Sequence, residues 1–258
     1  MTIRRLRRLF PDGKTLIVAC DHGMIDGPAA GIEVIGDTIE AVIAGGADGI
    51  MCSFGVATRF AEALARIGLV LRLDGAGTRL GLKAGPGAQF YAVEDALRLG
   101  ADAVCVTAFP GSPHEATTLE TLARVVRQAH AWDMPVMAEI VPGGFDSPPE
   151  KRTLDAIKVS ARVAAELGAD WVKLPYVEGF AEVVRTCFVP VVVLGGRKQD
   201  DPRETLTMLR ASLDAGGVGG VIGRNVWQSG NTERMTRAMA GIVHAGASVE
   251  DALQIALA

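Results

Sequence analysis

Residues 100–107 read Gly100-Ala101-Asp102-Ala103-Val104-Cys105-Val106-Thr107, and their opening triplet recurs along the chain. Gly46-Ala47-Asp48 and Gly168-Ala169-Asp170 also stand before short apolar runs, and Gly217-Val218-Gly219 is a degenerate fourth copy. An Ala/Leu-rich stretch precedes each. The pattern predicts a helix closed by a left-handed glycine, then a loop of two or three residues into a strand. Continuous apolar runs of this kind suit a parallel sheet, whose strands are covered by helices on both faces.

Working outward from these marks, eight strands are predicted at residues 16–20, 49–51, 70–73, 103–107, 136–139, 171–173, 191–194 and 220–222. Pro135 and Pro190 sit at strand starts, where a missing N–H does least harm. Between the strands, Leu119, Leu122 and Val126 share a helical face, as do Leu154, Ile157 and Ala161, and Leu206, Leu209 and Leu213. Ser112-Pro113-His114-Glu115, Ser147-Pro148-Pro149-Glu150 and Asp201-Pro202-Arg203-Glu204 each read as a capping box with proline at the first helical position. Eight strand–helix alternations predict an α/β fold, a (β/α)8 TIM barrel forming a single domain over residues 1–258, with 1–14 a short basic lead-in. An open doubly wound sheet is the rival; it would more naturally carry GxGxxG after its first strand, where Asp21-His22-Gly23 stands instead.

Composition agrees with a sizeable core. The chain has 258 residues, 49% hydrophobic and 22% charged, which excludes a disordered protein. A net charge of −4 and a sequence pI near 5.6 argue against a nucleic-acid binder. Cys20, Cys52, Cys105 and Cys187 are widely spaced without a CxxC pair, so they read as reduced thiols and neither a disulfide framework nor a zinc site. No apolar run approaches the roughly 18 residues of a membrane span, and no secretory h-region follows Arg4, Arg5, Arg7 and Arg8. Those arginines are expected to form a solvated or interface face, and a soluble, cytoplasmic protein without membrane partners is expected.

In such a barrel the reactive end is the one where the strands finish. That rule selects Asp21 and His22 after strand one, Asp74 after strand three, Glu139 after strand five, Lys173 after strand six, and Gly195-Gly196 and Gly223-Arg224-Asn225 after strands seven and eight. Of the six lysines only Lys173 ends an apolar strand. Desolvation there disfavours the ammonium and would lower its pKa, leaving an amine able to attack a carbonyl; the alternative is a lysine that snorkels to the rim or pairs with Asp21 or Glu139. Gly195, Gly196 and Gly223, with Arg197, Lys198 and Arg224 beside them, fit a phosphate site, although such glycines also serve tight βα turns. Asp21 either holds Lys173 or a substrate hydroxyl, or caps its turn. His22, His114 and His244 read as structural. Four scattered histidines offer no HxxEH cluster, so no metal is expected.

Residues 16–23 (LIVACDHG) with Gly27-Pro28, residues 171–176 (WVKLPY), 194–198 (LGGRK) and 223–228 (GRNVWQ) resemble the archaeal-type class I fructose-bisphosphate aldolases. Their DeoC/LacD-type relatives include aminodideoxyheptulosonate synthases and the autoinducer-processing thiolase. The resemblance runs from Arg5 to His244. It implies that Lys173 is a Schiff-base lysine, that Asp21 is an acid–base or positioning carboxylate, that Gly195, Gly196, Gly223 and Arg224 hold a substrate phosphate, and that the protein is a large homo-oligomer. One departure stands out. Typical members carry a tyrosine proton donor in a Trp-x-Tyr-Pro-Arg-Gly segment after strand five, whereas this chain reads Glu139-Ile140-Val141-Pro142-Gly143-Gly144. The thiolase branch also lacks that tyrosine. Val141 cannot move a proton, so the role is expected to pass to Glu139, tuned upward by burial, or to Tyr176.

The expected function is therefore a class I carbon–carbon lyase on a phosphorylated, ketose-like substrate, needing no cofactor. The alternatives are an imine-dependent thiolase using coenzyme A as co-substrate on a phosphorylated diketone, and a non-catalytic phosphosugar-binding barrel.

Overall fold

The computed structural model describes residues 2–75, 77–81 and 87–258. Eight parallel strands close into a barrel: β1 Thr15–Ala19, β2 Gly49–Cys52, β3 Gly68–Arg72, β4 Ala103–Ala108, β5 Val136–Ile140, β6 Trp171–Leu174, β7 Val191–Leu194 and β8 Gly219–Ile222. Neighbours in sequence are neighbours in space. β8 pairs with β1, Thr15 opposite Gly219 and Val18 opposite Ile222, so no sheet edge remains open. The observed bounds lie within two residues of the predicted ones, and those of β7 coincide with them.

The repeated triplet has a physical reason in each copy. Gly46, Gly100 and Gly168 have φ of 83°, 71° and 93°, the left-handed turn that ends a helix. The aspartate two residues later accepts a backbone N–H at the start of the preceding strand. Asp48 Oδ2 receives Leu16 N at 2.7 Å, Asp102 Oδ2 receives Leu69 N at 2.9 Å and Asp170 Oδ2 receives Val136 N at 2.8 Å. Each triplet thus stops a helix and seals a strand start. In the fourth copy the left-handed residue is Gly216 rather than Gly217, and no aspartate follows.

Side chains alternate between two cores. One set of positions, including Leu16, Val18, Ile50, Leu71 and Val104, packs outward against the helices. The other set (Ile17, Ala19, Met51, Val70, Ala103, Cys105, Met137, Trp171, Val192 and Val221) fills the interior of the barrel. Leu9 closes its floor: a Cβ on Gly68 would lie 2.6 Å from Leu9 Cδ2, and one on Gly49 would lie 2.9 Å away. The basic lead-in is therefore a plug, with the helix Thr2–Leu9 laid under the strands. Arg4, Arg7 and Arg8 are exposed, as expected of a solvated face, while Arg5 is half-buried. Arg5 NH1 donates to Ala101 O at 2.7 Å, and Arg8 NH2 donates to Ala65 O at 2.7 Å, tying the plug down.

Of the three predicted capping boxes only Asp201 caps a helix at the expected place, accepting from Arg203 N at 2.8 Å over Pro202–Asp214. Ser112 Oγ accepts from His114 N at 3.1 Å within a separate turn, and the helix begins at Glu115. Ser147 Oγ donates to the Gly144 carbonyl, a 3-10 turn follows, and Thr153 caps the helix Leu154–Glu166. In both cases the serine hydroxyl finds a local turn before the chain reaches helical geometry. All four cysteines are buried and unpaired. Among the described residues no helix is long and apolar enough to cross a membrane.

Candidate active site

The inward-facing positions change character at the ends of the strands. Moving up two residues, Val70 gives way to Arg72, Cys105 to Thr107, Met137 to Glu139 and Trp171 to Lys173. Register places Thr107 beside Glu139 and Glu139 beside Lys173, with Arg72 opposite Cys105. A polar layer thus sits directly on an apolar plug. Lys173 and Glu139 are each 4% exposed and Arg72 is 6% exposed, so these charges depend on one another instead of on water.

Lys173 Nζ lies 2.7 Å from Glu139 Oε1, so the lysine is paired with the carboxylate that stood as the alternative to a free amine. The other carboxylate oxygen, Oε2, accepts from Arg72 NH2. Arg72 Nε donates to Asp21 Oδ2 at 2.8 Å, while its NH1 reaches Thr107 Oγ1 at 2.6 Å and Asp74 Oδ1 at 3.2 Å. Asp74 Oδ2 accepts from Thr107 N at 2.7 Å. His22 Nδ1 stands 3.4 Å from Asp21 Oδ1, and its ring meets Trp227 edge-on at 5.3 Å. His22 is thus packed against Trp227, as the sequence suggested, but its buried Nδ1 has no hydrogen-bond partner.

The three carboxyls feel different environments. Burial works against ionised Asp21, but the Arg72 guanidinium, helped by His22 and Lys173, holds it far below the usual carboxylate range. Burial also pushes Glu139 up, yet Lys173 and Arg72 together outweigh it and hold the carboxyl below its ordinary value. The expectation that burial alone would tune Glu139 upward is therefore corrected: its two cationic neighbours reverse the sign. Asp74 is the carboxyl that burial does raise, against Arg72 and the Thr107 N–H.

The second cluster lies on the loops after β7 and β8. Gly196 has φ of 67° with open space where a Cβ would be. A Cβ on Gly195 would meet Ile222 Cγ2 at 2.7 Å, and one on Gly223 would meet Ala19 O at 2.9 Å. Arg224 NH2 donates to Gly196 O at 3.0 Å, while its Nε is buried with no protein partner. Asn225, which sequence reasoning noted without a role, organises this loop. Its Nδ2 donates to Gly195 O at 2.8 Å and Arg197 O at 2.9 Å, and its Oδ1 accepts from Gln199 N at 2.8 Å. Lys198 Nζ is turned onto the Gln199 carbonyl.

Tyr176 is not brought into the polar layer by any hydrogen bond. Its ring lies 5.4 Å from Phe180 and packs on the core between barrel and helices. Arg72 is the residue the sequence reading missed, although the signal was present: like Lys173, it is a lone cation inside an apolar strand. Among the described residues no group of three His, Cys, Asp or Glu side chains is placed to hold a metal ion. Of the remaining lysines, Lys83 lies outside the described residues.

Residues 15–229 match the DeoC/LacD family aldolase profile. An uncharacterised aldolase of Saccharolobus solfataricus is 32% identical over 97% of this chain and 97% of its own. The 3-hydroxy-5-phosphonooxypentane-2,4-dione thiolase of Yersinia enterocolitica is 34% identical over 98% of this chain and 86% of its own. A solved archaeal fructose-1,6-bisphosphate aldolase, with its catalytic Lys covalently bound to the carbinolamine intermediate of the substrate, superposes with a TM-score of 0.85 at 31% identity, covering 94% of this chain and 99% of that one.

Proposed function

The chain belongs to the DeoC/LacD aldolase family, and on that premise we propose that it is a Schiff-base carbon–carbon lyase acting on a phosphorylated, ketose-like substrate. The observation that carries this reading is Lys173, buried at the strand ends with Nζ 2.7 Å from the Glu139 carboxylate. An amine must lose a proton before it attacks, and Glu139 Oε1 is within reach to receive it. The Nζ lone pair adds to the ketone carbon, and the carbonyl oxygen takes up the proton that Glu139 holds. The carbinolamine nitrogen then gives up a second proton, which Glu139 relays to that oxygen so that it leaves as water, giving the protonated imine. The electrons of the neighbouring carbon–carbon bond then move toward the imine nitrogen, while the departing carbon's hydroxyl surrenders its proton to Asp21 or Glu139 as the aldehyde forms. Protonation of the enamine carbon and addition of water release the second product and restore Lys173.

Gly195, Gly196, Gly223 and Arg224 are proposed to hold the substrate phosphate, which would supply the acceptor that Arg224 Nε lacks. Arg224→Ala is expected to weaken phosphorylated substrates by a few kcal/mol, roughly what a charge-assisted pair is worth, and to leave unphosphorylated analogues almost unchanged. Equal losses for both would remove the phosphate assignment.

A second reading has its own support. The tyrosine position is filled by Val141, and the Yersinia relative is a thiolase. An imine-dependent acyl transfer to coenzyme A from a phosphorylated diketone would use the same Lys173. Burial pushes the thiols of all four cysteines above their ordinary value, which favours an imine over an acyl-cysteine. Turnover of phosphorylated ketoses without coenzyme A supports the lyase; strict dependence on coenzyme A supports the thiolase. Ligand binding with neither turnover nor a trappable imine would return the protein to a phosphosugar-binding barrel.

A further inference from the structure

We propose that Arg72 is the positioning residue of the centre. It fixes Glu139 through one carboxylate oxygen so that the other faces Lys173, and it couples Asp21 to the same proton exchange. The inference rests on the Schiff-base reading above and goes beyond it in assigning a group that forms no bond to substrate.

The geometry is specific to a guanidinium. All five N–H groups of Arg72 point at acceptors: Nε at Asp21, NH1 at Thr107 and Asp74, NH2 at Glu139 and at Met51 Sδ, 3.8 Å away. Five places in the fold meet through one side chain: the loop after β1, β2, the end of β3, β4 and β5. The anchors are themselves fixed, since Asp74 accepts the Thr107 backbone N–H. Glu139 cannot rotate without breaking its bond to NH2, so the oxygen presented to Lys173 is set by the guanidinium. A lysine here would have three donors on a flexible stem and could not span the same set.

The groups facing Glu139 are Lys173 from β6, Arg72 from β3, Asp21 from the loop after β1, Asp74 beyond β3 and Cys105 from β4. Two cations oppose two acids and a thiol, and Lys173 must become neutral during the reaction. At that moment Arg72 is the remaining cation against the carboxyl that has to return a proton.

The test is a double-mutant cycle between Arg72→Lys and Glu139→Gln, read as the rate of borohydride-trapped imine on Lys173 with a phosphorylated ketone, and as its pH profile. Arg72→Lys alone is expected to slow trapping about tenfold and to move the acid limb upward by about one pH unit, because Glu139 loses its fixed cationic partner. In the Glu139→Gln background the same change should alter the rate by less than about twofold. Thr107→Val, which removes only the hydroxyl anchoring NH1, should shift the profile in the same direction by less; it decides the matter if Arg72→Lys fails to fold. Equal slowing in both backgrounds, or an acid limb that does not move, would overturn the assignment and leave Arg72 a structural tie. Wild-type protein that never labels on Lys173 would overturn the Schiff-base reading and this inference with it. A labelled wild type with an indifferent Arg72→Lys and Thr107→Val would overturn this inference alone.

Discussion

The two ends of the barrel both draw carboxylates out of water, and they differ in what satisfies them: at the mouth only Asp74 also takes a backbone N–H. At the floor, Asp48, Asp102 and Asp170 accept backbone N–H groups of neighbouring strands, and the side chains that visit them, Arg8, His130 and His244, are partly exposed. At the mouth, Asp21, Asp74 and Glu139 converge on Arg72 and Lys173, which the barrel encloses. Backbone partners cannot move, so the floor carboxylates serve as fixed struts. Side-chain partners can exchange protons, so the mouth stores charge that chemistry can use. The contrast follows the division of labour in barrels of this kind, with stability at the strand starts and reactivity at the strand ends.

The contrast predicts opposite profiles for substitutions at the two ends. The largest effect is expected at the mouth, where Glu139→Gln should lower turnover by about 10²–10⁴-fold, the usual worth of a positioned acid–base group, and flatten the pH profile. The protein should remain folded by circular dichroism, because the amide still offers an acceptor to Arg72. Full activity in this variant would erase the distinction between the ends. At the floor, Asp102→Ala strands the Leu69 N–H and should cost about 1–3 kcal/mol in denaturant unfolding, with turnover at permissive temperature intact. Lost activity with unchanged stability there would reverse the comparison.

The smallest effect concerns His244, held between Asp12 Oδ2 at 3.0 Å and Asp48 Oδ2 at 2.9 Å. Burial disfavours its charged form, but the two carboxylates raise its pKa above the ordinary histidine value of 6.5. A raised folded value means that this contribution to stability is complete below about pH 6.5 and is lost as pH rises through the folded pKa. Thermal unfolding of the wild type should therefore show a decline just above that pH, and His244→Gln should remove it. An identical pH dependence in both proteins would mean the clamp contributes nothing.

Much of this was legible because the repeated Gly-Ala-Asp mark performs two jobs at once, ending a helix and sealing a strand, and both demand particular residues. Lys173 was legible because a cation in a buried strand has few innocent explanations. Arg72 carried the same signal, but it stands one residue inside the predicted strand's end at Leu73, whereas the rule for reactive positions selects the residue after it, Asp74. The direction of the Glu139 shift was not legible at all. It depends on which cations stand beside that carboxyl across two different strand pairs, and no local pattern encodes this. The misplaced capping boxes mark the same limit on a smaller scale, since a serine before proline can satisfy a turn as readily as a helix.

The most direct test of the central claim is mass spectrometry of the borohydride-reduced protein after incubation with phosphorylated ketones, followed by peptide mapping. The account predicts that the mass of the substrate, less water and plus two hydrogens, appears on the peptide containing Lys173. It also predicts that the label is absent from Lys173→Ala and from Lys173→Arg, whose guanidinium cannot form an imine. Label on any other lysine, or turnover that survives without Lys173, would contradict it.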